Sequence, residues 1–303
     1  MPLHLEYRPD KLDSLLGNEH LKQSLKSVLE SKDRPRVFLL HGKTGCGKTT
    51  LGRIIADTIG CAPTEIKELD IGDARGIDNA REIKRDAAFL PMDGGLKVYI
   101  LDEVQNSLAG FQEALLKTLE DTPEHVVFIL CTTDPHKLKP TIRNRCSSYE
   151  VMPLPGTLIK KLLKNVLQSE KVDDFPIEAL DYIVQYSQGV PREALTILNQ
   201  VIDLPTNEEI IAFLKSYRIT EEQIESLVKL MIANAPWIEL IKALKEIKDQ
   251  DVEKIRRGVL GYCSAVLMSK PSKRCAMIMD CFSSNMFDSG MPGLVLATFQ
   301  TTL

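Results

Sequence analysis

Residues 42–49 read Gly-Lys-Thr-Gly-Cys-Gly-Lys-Thr, the pattern G-x-x-x-x-G-K-T. An apolar run, Val37-Phe38-Leu39-Leu40, precedes it, and Leu51, Ile54, Ile55 and Ile59 follow at helical spacing. Strand, glycine loop and helix in that order constrain the chain to an α/β fold with the loop at a strand end. Glycines let the backbone turn sharply and aim several N–H groups into one hollow. The helix after them adds the positive end of its dipole, so the hollow suits a nucleotide's phosphates. Lys48 would reach the β- and γ-phosphates, and the Thr49 hydroxyl would hold Mg²⁺. Gly42, Lys43, Thr44, Gly45, Cys46, Gly47 and Thr50 complete the candidate loop.

The rest of the sequence alternates strands and helices up to about residue 153. Ile66 to Ile71 reads as a short strand, and Ile77 to Phe89 as a helix carrying Arg81, Lys84 and Arg85. Val98-Tyr99-Ile100-Leu101 is an apolar run capped by Asp102 and Glu103, as expected of a buried parallel strand that delivers acids at its C-terminal end. Phe111, Ala114, Leu115 and Leu119 share a helix face, Val126 to Cys131 is a further strand, and Ser148 to Met152 a last one. After Pro153-Leu154-Pro155-Gly156 every periodic segment is helical, with a break expected near Tyr217 to Glu221. The expected division is an α/β parallel-sheet domain at 1–153, a small helical domain at 154–216 and an all-helical domain at 217–303.

Composition narrows the function classes. The net charge is −4, so any nucleic-acid contact must come from a local patch. No apolar run approaches the ~20 residues that span a bilayer, and the N-terminal segment lacks the pattern of a signal peptide. The seven cysteines include no C-x-x-C pair, which argues against zinc and disulfides and for a reducing cytoplasm.

A nucleotide loop binds, but hydrolysis needs more groups. Asp102 would order the Mg²⁺ shell and Glu103 would polarise the attacking water; the bland alternative is a pair of acids capping the next helix. Thr133, or alternatively Thr132, stands where a strand end would meet the γ-phosphate or the water. Arg145 lies in Asn144-Arg145-Cys146, and Arg192 in Gly189-Val190-Pro191-Arg192-Glu193. Lone arginines are usually solvated or ion-paired, but two of them after an intact nucleotide core suggest one completing its own site and one a neighbour's.

Across residues 5 to about 200 these pieces resemble the AAA+ clamp-loader ATPases, most closely the bacterial DNA polymerase III gamma/tau subunit. The resemblance rests on Tyr7-Arg8-Pro9, the 42–49 loop, Lys97 to Val104, Ala114 to Glu120, Thr132-Thr133-Asp134-Pro135, Thr141 to Cys146 and Gly189 to Leu195. Beyond about residue 205 it is only a likeness of helical layout. It implies an ATP-binding AAA+ P-loop domain, a helical lid and a collar that holds a five-subunit ring. Thr133 then resembles sensor 1, Arg145 an arginine finger acting on the next subunit's ATP, and Arg192 sensor 2. Tyr7, Arg8, Pro9, Leu16 and Gly17 would line the adenine pocket. Three departures stand out: only Cys61 remains where the family carries a four-cysteine zinc module, so no zinc is expected; Asn144 replaces the family's serine before Arg145; and the sequence given ends at Leu303 without a tau-like extension. Together they suggest a compact, phage-encoded or otherwise minimal version.

The implied partners are a sliding clamp, primer–template DNA and further loader subunits, with no membrane. Arg75, Arg81, Lys84, Arg85, Lys137 and Thr141 are the candidate DNA contacts, with a solvated helix face as the alternative. Phe89, Leu90 and Met92 are the candidate clamp contacts, with burial in the core as theirs. Three other readings compete: an AAA+ DNA branch-migration or remodelling motor, a non-hydrolysing loader scaffold and a small-molecule P-loop kinase.

Overall fold

The computed structural model describes residues 1–31, 33–91, 94–248, 250–286 and 289–302, with backbone alone for 216–222. Met92, one expected clamp contact, lies outside the described residues. In chain order the elements are α1 (Leu3–Glu6), α2 (Glu19–Leu29), β1 (Val37–His41), α3 (Lys48–Thr58), β2 (Ile66–Asp70), α4 (Ile77–Ala87), β3 (Lys97–Asp102), α5 (Ala109–Glu120), β4 (Val126–Thr132), α6 (Pro140–Arg143) and β5 (Ser147–Glu150). They continue as α7 (Gly156–Ser169), α8 (Ile177–Ser187), α9 (Pro191–Val201), α10 (Asn207–Ile232), α11 (Trp237–Glu246), α12 (Val252–Ser269), α13 (Lys273–Cys281) and α14 (Gly290–Gln300). The chain divides into two compact units, Met1–Asn207 and Glu208–Leu303. The expected boundary at 153/154 therefore falls inside the first unit. The break expected near Tyr217 to Glu221 falls within the range of α10, at positions described in backbone only.

In the first unit five strands form one sheet in the order β2-β3-β4-β1-β5, every pair parallel. Side chains alternate between its faces. Phe38, Leu40, Ile100 and Ile129 pack with Leu25 of α2 and Leu51 and Ile55 of α3. Leu39, Tyr99, Leu101, Phe128 and Leu130 pack on the other side with Ile83 of α4 and Phe111 and Leu115 of α5. Helices on both faces explain why β1, β3 and β4 read as near-continuous apolar runs rather than alternating ones. The chain leaves β1 for the β2 edge, returns through β3 and β4, and places β5 beyond β1. The C-terminal ends of β1, β3 and β4 thus lie beside one another, the place where open α/β sheets bind ligands.

A buried polar knot fixes the end of α4. Lys97 is buried, and its ammonium donates to the carbonyls of Asp86 at 3.0 Å and Phe89 at 3.2 Å. The Asp86 carboxylate accepts from Lys67 at 2.5 Å and from the Tyr99 hydroxyl. Burial opposes the charge on Asp86, but the bonds from Lys67 and Tyr99 outweigh it and lower its pKa. Cations at a helix C-terminus satisfy its open carbonyls and its dipole.

The second unit is helical. Leu227, Val228, Met231, Leu240, Ile255, Val259, Ile278, Phe282 and Leu294 form its core. Glu253 is buried and accepts from the Arg256 guanidinium, 2.9 Å from Nε and 2.5 Å from Nη2, and from the Met286 N–H at 3.1 Å. The Arg256 hydrogen bond, helped by the Met286 N–H and opposed by burial, holds its pKa at about 2 instead of 4.5. A carboxylate depressed on folding stabilises above its ordinary pKa and loses that contribution as pH falls toward the folded value. Trp237, the only tryptophan in the chain, sits in this unit and reports on it. Between pH 7 and pH 3, urea denaturation followed at Trp237 should show a larger loss of stability for the wild type than for Glu253→Gln; parallel losses would contradict this assignment.

Candidate functional site: a phosphate hollow at the strand ends

The loop 42–49 takes its shape from three glycines in the left-handed region: Gly42 at φ 146°, Gly45 at 77° and Gly47 at 101°. At Gly42 the backbone also runs so close to β5 that a Cβ would meet the Val151 carbonyl oxygen at 2.3 Å. At Gly45 a Cβ would meet Val190 Cγ1 at 2.7 Å and Arg192 Cβ at 3.2 Å, so the loop and the start of α9 close on each other there. The Arg192 N–H points to the Gly45 carbonyl at 3.4 Å. Any side chain at either position would be both strained and in the way.

Lys48, at the start of α3, is buried; its ammonium donates to the carbonyls of Gly42 at 3.0 Å and Lys43 at 3.1 Å. The Thr49 hydroxyl donates to Asp102 Oδ2 at 2.5 Å, and Asp102 Oδ1 accepts from the Glu103 N–H at 2.9 Å. Glu103 itself has a left-handed backbone at φ 51°, uncommon for a residue with a side chain and frequent at functional sites. Thr44, Gly45, Gly47, Lys48, Thr49, Thr50, Asp102, Glu103 and Arg192 line one small hollow. The loop, Asp102, Glu103 and Arg192, far apart in sequence, are thus brought together.

A second cavity of about 290 Å³ adjoins the same glycines. Tyr7, Arg8, Pro9, Leu16, Gly45, Cys46, Gly47, Thr50 and Arg192 are on its wall. Gly17 is not; it is buried at φ 66° with a hypothetical Cβ 2.7 Å from Leu154 Cδ2, and its place is a tight turn. Asn18 clamps that turn to the end of β5, donating to the Met152 carbonyl at 3.1 Å and accepting from its N–H at 2.9 Å. The opposite wall comes from α7, through Leu162, Asn165, Val166 and Ser169. In the sequence Leu158, Leu162, Leu163 and Val166 form one helical stripe with no sign of a cavity, and their polar neighbours carry no motif. The Tyr7 hydroxyl reaches Glu170 at 2.5 Å and joins the N-terminal segment to the end of α7. Burial, with Arg53 and Arg192 nearby and Glu68 opposing, lowers the pKa of Arg8. Guanidinium groups crowd this rim, the electrostatic setting of an anion site. Burial also raises the Cys46 thiol, against the pull of Lys48 and Lys43, which keeps it protonated.

Thr132 and Thr133 separate in the structure. Thr132 is fully buried at the end of β4 and donates from its hydroxyl to Gln105 Oε1 at 2.7 Å. Thr133 is only partly buried, and its N–H donates to the same oxygen at 3.2 Å. Neither threonine lines the hollow. Arg145 does not line it either. Its guanidinium donates to the Thr141 carbonyl at 2.9 Å and to Glu120 Oε1 at 2.5 Å. Arg75, Arg81, Lys84, Arg85, Lys137 and Thr141 are exposed, and Arg81 pairs with Asp78 at 3.0 Å. Phe89 and Leu90, expected either at a contact or in the core, are each 69% exposed, which removes the core alternative for these two.

The comparisons with known proteins agree on the neighbourhood. Residues 70–155 match the family model described as DNA polymerase III, delta subunit. The DNA polymerase III subunit gamma/tau of Mycobacterium tuberculosis is 33% identical over 230 residues, 67% of this chain and 39% of that protein. The subunit tau of Bacillus subtilis is 31% identical over 223 residues, 66% of this chain and 39% of that protein. Over two thirds of its length, the chain is gamma/tau-like. The match spans about two fifths of those relatives. Among solved structures, the Thermotoga maritima RuvB Holliday junction branch migration motor superposes with a TM-score of 0.61 at 20% identity, covering 74% of this chain and 80% of that one. That likeness is one of fold, a parallel α/β sheet with helices on both faces. Among the described residues no helix is long and apolar enough to cross a membrane.

The gamma/tau-like loop fits the group it is expected to hold. It offers a glycine-walled hollow, a buried ammonium and a hydroxyl–carboxylate oxygen pair of the kind that suits Mg²⁺. Gly45→Ala should weaken binding of a fluorescent ATP analogue about ten-fold or more, since the left-handed turn costs ~1–2 kcal/mol and the Cβ also pushes on Val190. Gly60→Ala, at φ 78° with nothing within 4 Å of its Cβ, should lower stability but leave that affinity in place. Equal affinities for Gly45→Ala and the wild type would refute the close-approach argument.

Proposed function

We propose that the chain is an ATPase subunit of a DNA polymerase sliding-clamp loader: ATP binding opens the clamp, and hydrolysis stimulated by primer–template DNA releases it on DNA. The observation that carries this reading is the convergence of the 42–49 loop, Asp102–Glu103 and Arg192 on one hollow in a gamma/tau-like chain. In the proposed site the loop N–H groups and Lys48 hold the β- and γ-phosphates. Thr49 and Asp102 hold Mg²⁺, which when bound neutralises phosphate charge. Glu103 polarises the attacking water, and Arg192 reaches the nucleotide from the start of α9. The base lies in the cavity between the Tyr7-Arg8-Pro9 segment and α7.

Arg145 belongs, on this reading, to a neighbouring subunit's site. Its position outside the hollow and its contact with Glu120 support an action away from its own nucleotide. Residues 154–216 act as the lid and 217–303 as the collar of a pentameric ring. Thr133 reads the γ-phosphate state from the end of β4. The exposed Arg75, Arg81, Lys84 and Arg85, with Lys137 and Thr141, meet DNA phosphates. Phe89 and Leu90, displayed beyond the pinned end of α4, meet the clamp.

The branch-migration reading draws on the RuvB likeness, which at 20% identity is of fold alone. A loader's hydrolysis should rise when clamp and primed DNA are added together; a motor's should be indifferent to the clamp. Lys48→Ala should abolish hydrolysis. Arg145→Ala should lower the stimulated rate roughly 10³-fold while nucleotide binding persists, in line with other arginine fingers. Full stimulated hydrolysis by Arg145→Ala would remove the trans assignment. Joint replacement of Arg81 and Arg85 by Ala should flatten the salt dependence of DNA binding by roughly two counterions; an unchanged slope would remove that patch.

A further inference from the structure

Gln105 follows the Asp102–Glu103 pair in a short 3₁₀ turn, Val104–Asn106, and no sequence motif singles it out. Its side-chain amide spans the gap between two of the three strand ends that frame the hollow. On one side Oε1 accepts from the Thr132 hydroxyl at 2.7 Å and from the Thr133 N–H at 3.2 Å. On the other side Nε2 donates to Glu103 Oε2. The orientation of the amide follows from its neighbours. The Thr133 N–H can only donate, and a carboxylate can only accept, so the oxygen must face β4 and the nitrogen Glu103. Thr132 is held in turn: its hydroxyl also accepts from the Asp134 N–H at 3.1 Å.

This makes a chain of four hydrogen-bonded groups from Asp134 through Thr132 and Gln105 to the Glu103 carboxylate. Its β4 end is rigid, because β4 is buried along its whole length and paired on both sides. Its Glu103 end is a side chain on a left-handed residue in a turn, and among the described residues Gln105 is the one side chain that bonds its carboxylate. The rigid end therefore orients the free one.

We propose that Gln105 is a positioning residue that sets the direction of the Glu103 carboxylate from the end of β4. It touches neither nucleotide phosphates nor water in this scheme; it acts through Glu103. The inference rests on the reading of Glu103 as the group that polarises water. It deepens that reading by giving a physical route from Thr132–Thr133 to the hydrolytic carboxylate. A displacement of Thr133 moves the N–H donor that holds the Gln105 amide oxygen, and the amide carries Glu103 with it.

The test is a double-substitution cycle measured as single-turnover ATP hydrolysis by the full chain with primed DNA present. Gln105→Ala removes both ends of the bridge. Gln105→Glu keeps the shape and the acceptor toward Thr132 and Thr133 but loses the donor toward Glu103. Both should lower the rate by roughly 10- to 100-fold, the usual effect of losing an orienting partner, with nucleotide affinity unchanged. In a Glu103→Gln background, Gln105→Ala should add little further loss, because two groups acting as one unit are not additive. A Gln105→Glu rate equal to that of the wild type overturns the proposal. So does a Gln105→Ala loss of the same size in both backgrounds, which marks a merely structural side chain. A wild-type chain that binds ATP and does not hydrolyse it overturns the hydrolytic reading of Glu103 itself, an outcome distinct from an active wild type indifferent to Gln105.

Discussion

The hydrogen bond from the Thr49 hydroxyl to Asp102 joins the helix behind the glycine loop to the end of the adjacent layer of the sheet. Everything else at the site is arranged around that join. β3 and β1 are not neighbours in the sheet; β4 lies between them. The carboxylate of β3 meets α3 only because α3 packs across the sheet, where Gly52 lets it approach: a Cβ there would sit 3.3 Å from Ile129 Cγ2 and 3.5 Å from Ile100 Cγ2. A parallel sheet with both faces covered thus delivers the loop, Asp102 and Glu103 to one edge. The apolar runs that build the sheet are the reason its polar ends are clustered.

Charge completes the argument. Lys48 is buried with two carbonyl oxygens as partners, and no carboxylate is among them. Burial first, and then the nearby charges of Arg53 and Arg192, lower the pKa of Arg8. Arg53 is bidentate to Glu68, at 2.8 Å and 2.9 Å, so part of that charge is compensated locally. A polyphosphate placed against the loop would meet donors already pointed at it, which lowers the reorganisation that binding requires.

Much of this was legible in the chain. The loop motif, the apolar strand ending in Asp102 and Glu103, and the switch to helical spacing after Pro153 depend on local pattern, and each has an obvious period or spacing. The α7 wall of the second cavity was not legible, because Leu162 and Val166 fall on the same stripe as the core residues Ile159 and Leu163, and which part of a stripe faces a cavity is a tertiary fact. Gly17 lies off the cavity wall for the opposite reason: its neighbours Leu16 and Asn18 reach the cavity, while its own left-handed turn packs on Leu154. Gln105 was invisible because an amide carries no signature until its three partners, 2, 27 and 28 residues away, are known. The exposure of Phe89 and Leu90 was undecidable from an apolar cluster alone; it is a tertiary fact, seen where the buried Lys97 holds the carbonyls of Asp86 and Phe89.

On the proposed reading, residues 42–49, Asp102 and Arg192 form one nucleotide site within the first unit. Calorimetric titration of the full chain with ATP, with and without Mg²⁺, tests it most directly. One nucleotide should bind per chain, more tightly with Mg²⁺ present, and binding should be lost in Lys48→Ala. Binding by Lys48→Ala equal to that of the wild type, or no nucleotide bound by the folded wild-type chain, would contradict it.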